Sequence, residues 1–206
     1  MLTAALAFAA VAALVTITPG LDTVLVLRTT VSSGRRAGYL AGTGVATGCL
    51  LWAVASAAGL TAVLAASRVA FDALRLAGAG YLLWLGVRAL WGARRVAGAP
   101  ADVPQPAMGV RAAFRQGLTT NLLNPKVGVF YMSLVPQFLP HHASVFWTSL
   151  LFAAIHDVEG LAWFAFIVLT AGAARRVLTR PSAVRTLQRL TGIAFIGFGI
   201  RLAAGD

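Results

Sequence analysis

The sequence predicts an all-α integral membrane protein with six transmembrane helices, arranged as a 3+3 inverted repeat. The first observation is composition: 59% of the 206 residues are hydrophobic, 11% are charged, and the mean hydropathy is +0.81. An average globular chain carries about 25% charged residues. The second observation is that six apolar segments follow one another along the chain, and the third is that a proline interrupts the first and the fourth.

Charge and cysteine content narrow the possible functions. A formal net charge of +11 would indicate nucleic-acid binding in a soluble chain. Here the arginines lie between apolar segments, so we expect no nucleic-acid partner and interpret the charge as a sign of membrane topology. The single cysteine, Cys49, excludes an intramolecular disulfide and a cysteine-rich metal site.

The first half, residues 1–92, holds three apolar segments. The first covers residues 2–27 and is interrupted by Thr18-Pro19-Gly20; because no basic residue precedes Arg28, we predict a retained broken helix rather than a signal peptide. The second covers residues 37–66 without a charge, which exceeds the roughly 20 residues needed to span a bilayer. The third covers residues 69–91.

A polar linker at 93–110 joins this half to the second, residues 111–206, and the two halves are expected to form one bundle. Segment four covers residues 112–139 and contains the polar stretch Asn121 to Lys126. Segment five covers 144–172 and segment six covers 184–204. His141 and His142 lie in the loop before segment five, where we expect them to be solvated.

The stretch from Asn121 to Lys126 is the strongest functional signal. A proline removes a helical hydrogen bond and disfavours helix in the preceding residue, so Pro125 should break helix four, as Pro19 should break helix one. Transporters use such breaks to direct half-helix ends at a solute. Lys126 would lie in the first turn of the second half-helix, where the dipole disfavours a cation. We therefore expect a negative group beside it.

The two halves resemble each other. Thr18-Pro19 corresponds to Asn124-Pro125 at an offset of 106, and the sequence LGVR at 85–88 corresponds to FGIR at 198–201 at an offset of 113. Three spans per half would turn the second copy upside down. This pattern predicts an inverted repeat, which is typical of secondary transporters.

The distribution of basic residues predicts the orientation. Thirteen of the 17 fall on the side of the loops that follow segments one, three and five, which places both termini outside the cytoplasm. These thirteen are Arg28, Arg35, Arg36, Arg88, Arg94, Arg95, Arg111, Arg115, Arg175, Arg176, Arg180, Arg185 and Arg189.

Charged residues at membrane depth are candidates for function, because each costs roughly 2.5 to 3.5 kcal/mol at a helix centre. Asp22 would either contact the solute or cap the half-helix that begins beside it. Lys126 would bind a solute carboxylate or form a fixed ion pair with Asp22. Asn121 and Asn124 would satisfy freed backbone groups or contact the solute.

Segment five carries three further candidates. His156, Glu159, Gly160 and Trp163 share one helix face, and Asp157 points about 100° away. We assign proton coupling to Glu159, Asp157 and His156, because removal from water favours a protonated carboxyl group. Trp163 would line the pathway or, like the other tryptophans, anchor the helix in lipid.

Other functional classes remain open on these residues. His156, Asp157 and Glu159 with Asp22 would be the ligands of a divalent-cation exporter, but Lys126 at the break argues against it. Neither H-E-x-x-H nor a paired-cysteine motif occurs, so we expect no metal site and no cofactor. An intramembrane enzyme lacks a nucleophile-base pair in this sequence.

Four stretches together resemble the LysE/RhtB amino-acid exporters. They are TPGLDTVLVLRTTVSSGRRAG at 18–38, RLAGAGYLLWLGVR at 75–88, NLLNPKVGVFYMSLVPQF at 121–138 and GIAFIGFGIRLA at 192–203. The resemblance implies a six-span protein of the bacterial inner membrane, often a homodimer, that moves amino acids or related solutes outward. Leu21 departs from the family, which usually has a second proline there.

Residues and resemblance together predict a secondary transporter, not an enzyme, that exports a small amino acid or a similar solute in exchange for protons. Lys126 and the half-helix N-termini would hold the carboxylate, and Asp22 would meet the ammonium group. The remaining binding residues predicted are Thr18, Pro19, Gly20, Asn121, Asn124, Pro125 and Trp163.

Overall fold

The computed structural model describes residues 1–66, 68–94, 107–140, 143–178 and 180–204. Within these ranges all regular structure is helical, in agreement with the predicted all-α class. Most of the predicted linker at 93–110 lies outside the described residues, as do His141 and His142.

Eight α-helices follow one another through the described part of the chain. Two of them contain stretches, Leu21–Gly59 and Val145–Leu169, that are long and apolar enough to cross a membrane. The helices are α1 (Leu2–Ile17), α2 (Leu21–Ala66), α3 (Arg68–Arg94), α4 (Val110–Leu122), α5 (Pro125–Val129), α6 (Val145–Leu169), α7 (Ala171–Leu178) and α8 (Pro181–Ala204). After α5 the chain continues as a π-helical turn (Phe130–Leu134) and a 3-10 turn (Val135–Phe138).

Helix ends flank both prolines that the sequence singled out. α1 ends at Ile17, and Thr18 takes an extended backbone with φ −70° and ψ 118° before α2 begins at Leu21. α4 ends at Leu122, and α5 begins at Pro125, the first helical position, where the missing N–H is not needed. Asn124 caps α5 by accepting a 3.1 Å hydrogen bond from the backbone N–H of Lys126.

The connection between the first two apolar segments differs from the expected polar loop. Two helical stretches of α2 meet there at Gly34, a non-helical residue with φ +84° and ψ 171°. This backbone region is open almost only to glycine, because a Cβ would collide with the peptide. A single residue therefore makes the turn.

Glycines bring α2 and α4 into backbone contact. A Cβ on Gly44 would collide with the carbonyl oxygen of Phe114, and a Cβ on Gly117 would collide with that of Ala41. Small residues of this kind let helix backbones approach closely, and the resulting van der Waals packing drives helix association in lipid, where no hydrophobic force does so. α2 also packs along α6.

α3 and α8 form a second close pair. A Cβ on Gly86 would meet the carbonyl of Gly192, and a Cβ on Gly192 would meet that of Gly86; Gly199 is as close to the carbonyl of Ala79. α1 is held on the other helices by aromatic packing, because Phe8 stacks on Phe152 of α6 at 4.6 Å between ring centroids.

Candidate solute site at the two helix breaks

The two breaks and α6 enclose a small cavity of about 60 Å³. That volume holds a few water molecules, since one water needs roughly 10 to 15 Å³ in this measure. Its polar lining comes from the α1–α2 junction, from the α4–α5 junction and from the middle of α6. These lining residues include Thr16, Thr18, Gly20, Asp22, Thr23, Asn124, Lys126, His156 and Asp157.

The Lys126 side chain reaches across to the C-terminal end of α1. Its Nζ donates hydrogen bonds to the carbonyl oxygens of Val15 at 2.9 Å and Thr18 at 3.4 Å. The helical partner of the Val15 carbonyl would be the N–H of residue 19, which is a proline and has none. Lys126 thus supplies the missing donor, and the expected negative group beside it is the carbonyl end of α1.

Asp22, at the first break, is hydrogen-bonded to two residues of the second break. Its Oδ2 accepts hydrogen bonds from the side-chain nitrogens of Asn121 and Asn124, both at 3.1 Å. Its Oδ1 is buried and has no hydrogen-bond partner among the described residues. Asp22 therefore keeps one acceptor atom unused beside the cavity.

Asp22 and Lys126 do not form the direct ion pair that the sequence left open. Among the described residues, the one ion pair joins Arg75 and Asp72 on α3 at 3.4 Å. The two charges at the breaks instead keep separate sets of partners around the same cavity.

The other predicted residues at the breaks differ in whether they line the cavity. The Thr18 hydroxyl donates to the Leu14 carbonyl at 2.6 Å and contacts the hydroxyl of Thr191 on α8. Asn121 is fully buried and does not line the cavity. Pro19 and Pro125 are also absent from the lining, whereas Gly20 contributes to it.

On α6 the cavity contacts a different sector of the helix from the one expected. His156, Asp157 and Gly160 line it, whereas Glu159 and Trp163 do not. Asp157 and Glu159 each have one buried carboxyl oxygen without a partner among the described residues. The indole nitrogen of Trp163 donates to the Thr23 hydroxyl at 3.4 Å, so Trp163 supports the start of α2.

Two residues next to this cavity, Tyr131 and Cys49, are not among the predicted site residues. Tyr131 lies in the π-helical turn, and its hydroxyl is 3.0 Å from Nδ1 of His156. Cys49 lines the cavity, and its Sγ accepts a 3.3 Å hydrogen bond from Asn121. The sequence signal that could have identified them is a polar side-chain atom inside an apolar segment, because such an atom needs a hydrogen-bond partner in lipid.

Opposite charges at two helix junctions around one cavity are typical of membrane transporters. The chain belongs to the LysE type translocator family, whose model matches residues 13–205. This match confirms the resemblance seen in the sequence motifs.

Individual relatives cover nearly the whole chain. The chain is 31% identical to the uncharacterized membrane protein YrhP of Bacillus subtilis (strain 168) over 202 residues, which is 95% of this chain and 96% of the relative. It is 32% identical over 193 residues to the leucine efflux protein of Enterobacter sp. (strain 638), covering 92% and 90% of the two chains. The leucine efflux protein of Klebsiella pneumoniae is 31% identical over 195 residues, covering 93% and 91%. No solved structure matches this chain.

Proposed function

We propose that this protein is a secondary active transporter that exports a neutral amino acid across the bacterial inner membrane in exchange for protons. The observation that carries the proposal is that Lys126 and Asp22 line the same cavity, each with an unused hydrogen-bonding position. Relatives named leucine efflux proteins support amino acids as the solute class.

The carboxylate of the solute would bind at Lys126. An ammonium group has three donors, and Lys126 uses two of them on the carbonyls of Val15 and Thr18. The third donor is available for a carboxylate oxygen. Because the two occupied donors hold the ammonium group in place, little further ordering of the side chain is needed when the solute binds.

The α-ammonium group of the solute would bind at Asp22. Oδ2 is occupied by two asparagine side chains, and Oδ1 is the buried acceptor without a partner. Leaving such an oxygen unpaired costs about 1 to 3 kcal/mol or more for a charged group, and a solute N–H would recover that cost. Asp22 and Lys126 together would then recognise the group common to all α-amino acids.

An aliphatic side chain fits the remaining lining. Apolar atoms of Val45, Val127, Phe130 and Phe164 border the cavity beside the charged groups. With about 60 Å³ the cavity is too small for a whole amino acid, so the half-helices would separate as the solute enters. Alternating access by movement of one repeat against the other provides such a step.

The proposed architecture is six spans in a 3+3 inverted repeat, with repeats at 1–92 and 111–206 joined by the linker at 93–110. The contacts between α3 and α8 support it. At the offset of 113, Gly86 corresponds to Gly199 and Ala79 corresponds to Gly192. The contact of Gly86 with Gly192 therefore maps onto the contact of Gly199 with Ala79, as a two-fold axis between the repeats requires.

Topology follows from the distribution of charge. With six spans, the thirteen arginines of the three loops would face the cytoplasm, and both termini would face the periplasm. A homodimer remains part of the proposal on the family resemblance alone.

For proton coupling we propose Asp157 as the carrier, ahead of Glu159 and His156. Asp157 borders the same cavity as the two charges at the breaks, and its Oδ2 is buried without a partner in the described part of the chain. A carboxyl group at that place can exchange a proton with the cavity in step with the solute.

The proposal is tested by counterflow in proteoliposomes. Purified protein is reconstituted into vesicles loaded with unlabelled leucine, and labelled leucine is added outside; we expect accumulation above protein-free vesicles. A panel of neutral, acidic and basic amino acids, each as internal exchange partner, defines the specificity. Failure of every amino acid to exchange, with correctly inserted protein, would overturn the proposal.

The alternative of a divalent-cation exporter is not favoured by the family assignment. Among the described residues, no group of three or more His, Cys, Asp or Glu side chains is placed to hold a metal ion. Labelled manganese or zinc in the same vesicles distinguishes the two functions directly.

A further inference from the structure

We propose that His156 binds the solute as a neutral hydrogen-bond donor through Nε2–H, and that Tyr131 is the positioning residue that sets this tautomer. The proposal rests on the proposed function in that it takes the cavity as the solute site. His156 lines the cavity while only 8% of its surface is exposed. Its Nδ1 lies 3.0 Å from the Tyr131 hydroxyl, which leaves Nε2 as the nitrogen available to a solute.

Tyr131 is held in place by the π-helical turn Phe130–Leu134. Its carbonyl oxygen accepts a 2.8 Å hydrogen bond from the Ser56 hydroxyl of α2, and only 1% of its surface is exposed. A π-helical turn shifts the following side chains around the helix, and such turns occur frequently at functional sites. The Tyr131 hydroxyl is thus a fixed point next to His156.

The relative strength of the neighbouring acceptors determines which atom donates in the contact between Tyr131 and His156. Asn121 donates one amide hydrogen to Asp22 and the other to the sulfur of Cys49. The phenolic hydroxyl of Tyr131 has a single hydrogen, and because an imidazole nitrogen is a better acceptor than a thiol sulfur such as that of Cys49, this hydrogen points to Nδ1.

An imidazole that accepts at Nδ1 is neutral and carries its hydrogen on Nε2. The ring cannot easily exchange its two nitrogens, because the Phe130 ring lies against it with 4.7 Å between centroids and the Tyr131 ring lies at 5.7 Å. Tyr131 and His156 therefore present one fixed N–H donor to the cavity.

The matching acceptor on an amino acid is its carboxylate, which has two oxygens. Lys126 lines the same cavity and would bind one oxygen, and His156 would bind the other. A neutral donor adds directionality without adding a second positive charge to the site. This role removes His156 from the residues that carry the coupling proton.

The tautomer is measured first and without any solute. Protein labelled with ¹⁵N-histidine, with His141 and His142 replaced by alanine, contains His156 as its only histidine. We expect ¹⁵N chemical shifts of the Nε2–H form, and we expect Tyr131→Phe to lose this preference. Tyr81→Phe on α3 is the control. A hydrogen on Nδ1 in the parent protein would overturn the role of Tyr131.

The binding role is tested by two replacements of His156. The amide nitrogen of Gln lies near the position of Nε2, and that of Asn lies near the position of Nδ1. We expect His156→Gln to retain leucine affinity within about threefold and His156→Asn to weaken it about tenfold or more, as loss of a hydrogen bond to a charged group does. Equal affinity of the two variants, both correctly inserted, would contradict the proposal.

Failure of the two proposals is distinguishable. If the parent protein exchanges no amino acid, the proposed function fails and His156 has no solute to bind, while the ¹⁵N measurement still decides whether Tyr131 sets the tautomer. If the parent protein exchanges leucine and both His156 variants do so equally well, only the role of His156 fails.

Discussion

The ammonium nitrogen of Lys126 lies 2.9 Å from the carbonyl oxygen of Val15, four residues before Pro19. That carbonyl lost its helical donor to the proline, and the donor that replaces it comes from the residue after Pro125. Each break is therefore stabilised by a side chain from the other. Lys126 donates to the carbonyls at the first break, and Asp22 accepts from the two asparagines at the second. Separating the half-helices to admit a solute would break this mutual support.

Replacing Lys126 tests that support. Lys126→Met leaves the Val15 carbonyl without a donor and should lower the stability of the protein by about 1 to 3 kcal/mol. It should also abolish transport of every amino acid. Thermal unfolding in detergent and counterflow measure the two effects. Because Lys126 and Asp22 form no direct ion pair, adding Asp22→Asn should not restore either property. Wild-type transport by that double variant would falsify the binding role of both residues.

Asp22→Asn should separate solute affinity from folding. The side-chain oxygen of Asn can still accept from Asn121 and Asn124, so the protein should insert normally. Loss of the charge should weaken binding of amino acids about ten- to hundredfold, as expected for a charged hydrogen bond of about 1.5 to 3 kcal/mol. The matched control is Asp72→Asn, which removes a half-exposed carboxylate paired with Arg75 on α3. Similar half-saturation constants for both variants would rule out contact between Asp22 and the solute.

Asp157 and Glu159 make a second matched pair. Asp157→Asn should abolish leucine transport driven by a pH gradient while leucine-leucine exchange persists, because only the gradient-driven step needs a proton. Glu159→Gln, two residues away and off the cavity lining, should retain both activities. The reverse pattern would transfer the coupling role to Glu159.

Gly86→Leu should disrupt the pairing of α3 with α8. Its side chain would collide with the Gly192 carbonyl and with Ile196, whereas Gly80 on the same helix has no atom within 4 Å of an added Cβ. Overpacking costs typically about 1 to 3 kcal/mol, so the melting temperature of Gly86→Leu should fall and that of Gly80→Leu should not. Equal melting temperatures would show that α3 and α8 are not in contact.

The proposed six-span topology can be measured directly. A reporter active only in the periplasm, fused after Asp206, should be active, and the same reporter fused within the linker at 93–110 should be inactive. Activity at the linker, or a cytoplasmic signal after Asp206, would rule out the proposed orientation.

The sequence by itself determined the class of protein and its family. Apolar segments with few charges predict a membrane protein, and the four motifs together were specific enough for the LysE type translocators, as the family match confirms. The positions of the helix ends near these prolines are also local, because the proline ring itself removes the N–H and restricts the preceding residue.

Only the tertiary structure decided which atoms meet. The charge on Lys126 required a negative partner, but a carboxylate and a set of helix carbonyls satisfy it equally well. Only the tertiary structure, which places the end of α1 within reach of the Lys126 side chain, selected the carbonyls. Likewise, helical periodicity relates His156, Asp157 and Glu159 to one another but not to the cavity. Which sector of α6 faces it depends on contacts with α1 and α2, which are distant in sequence.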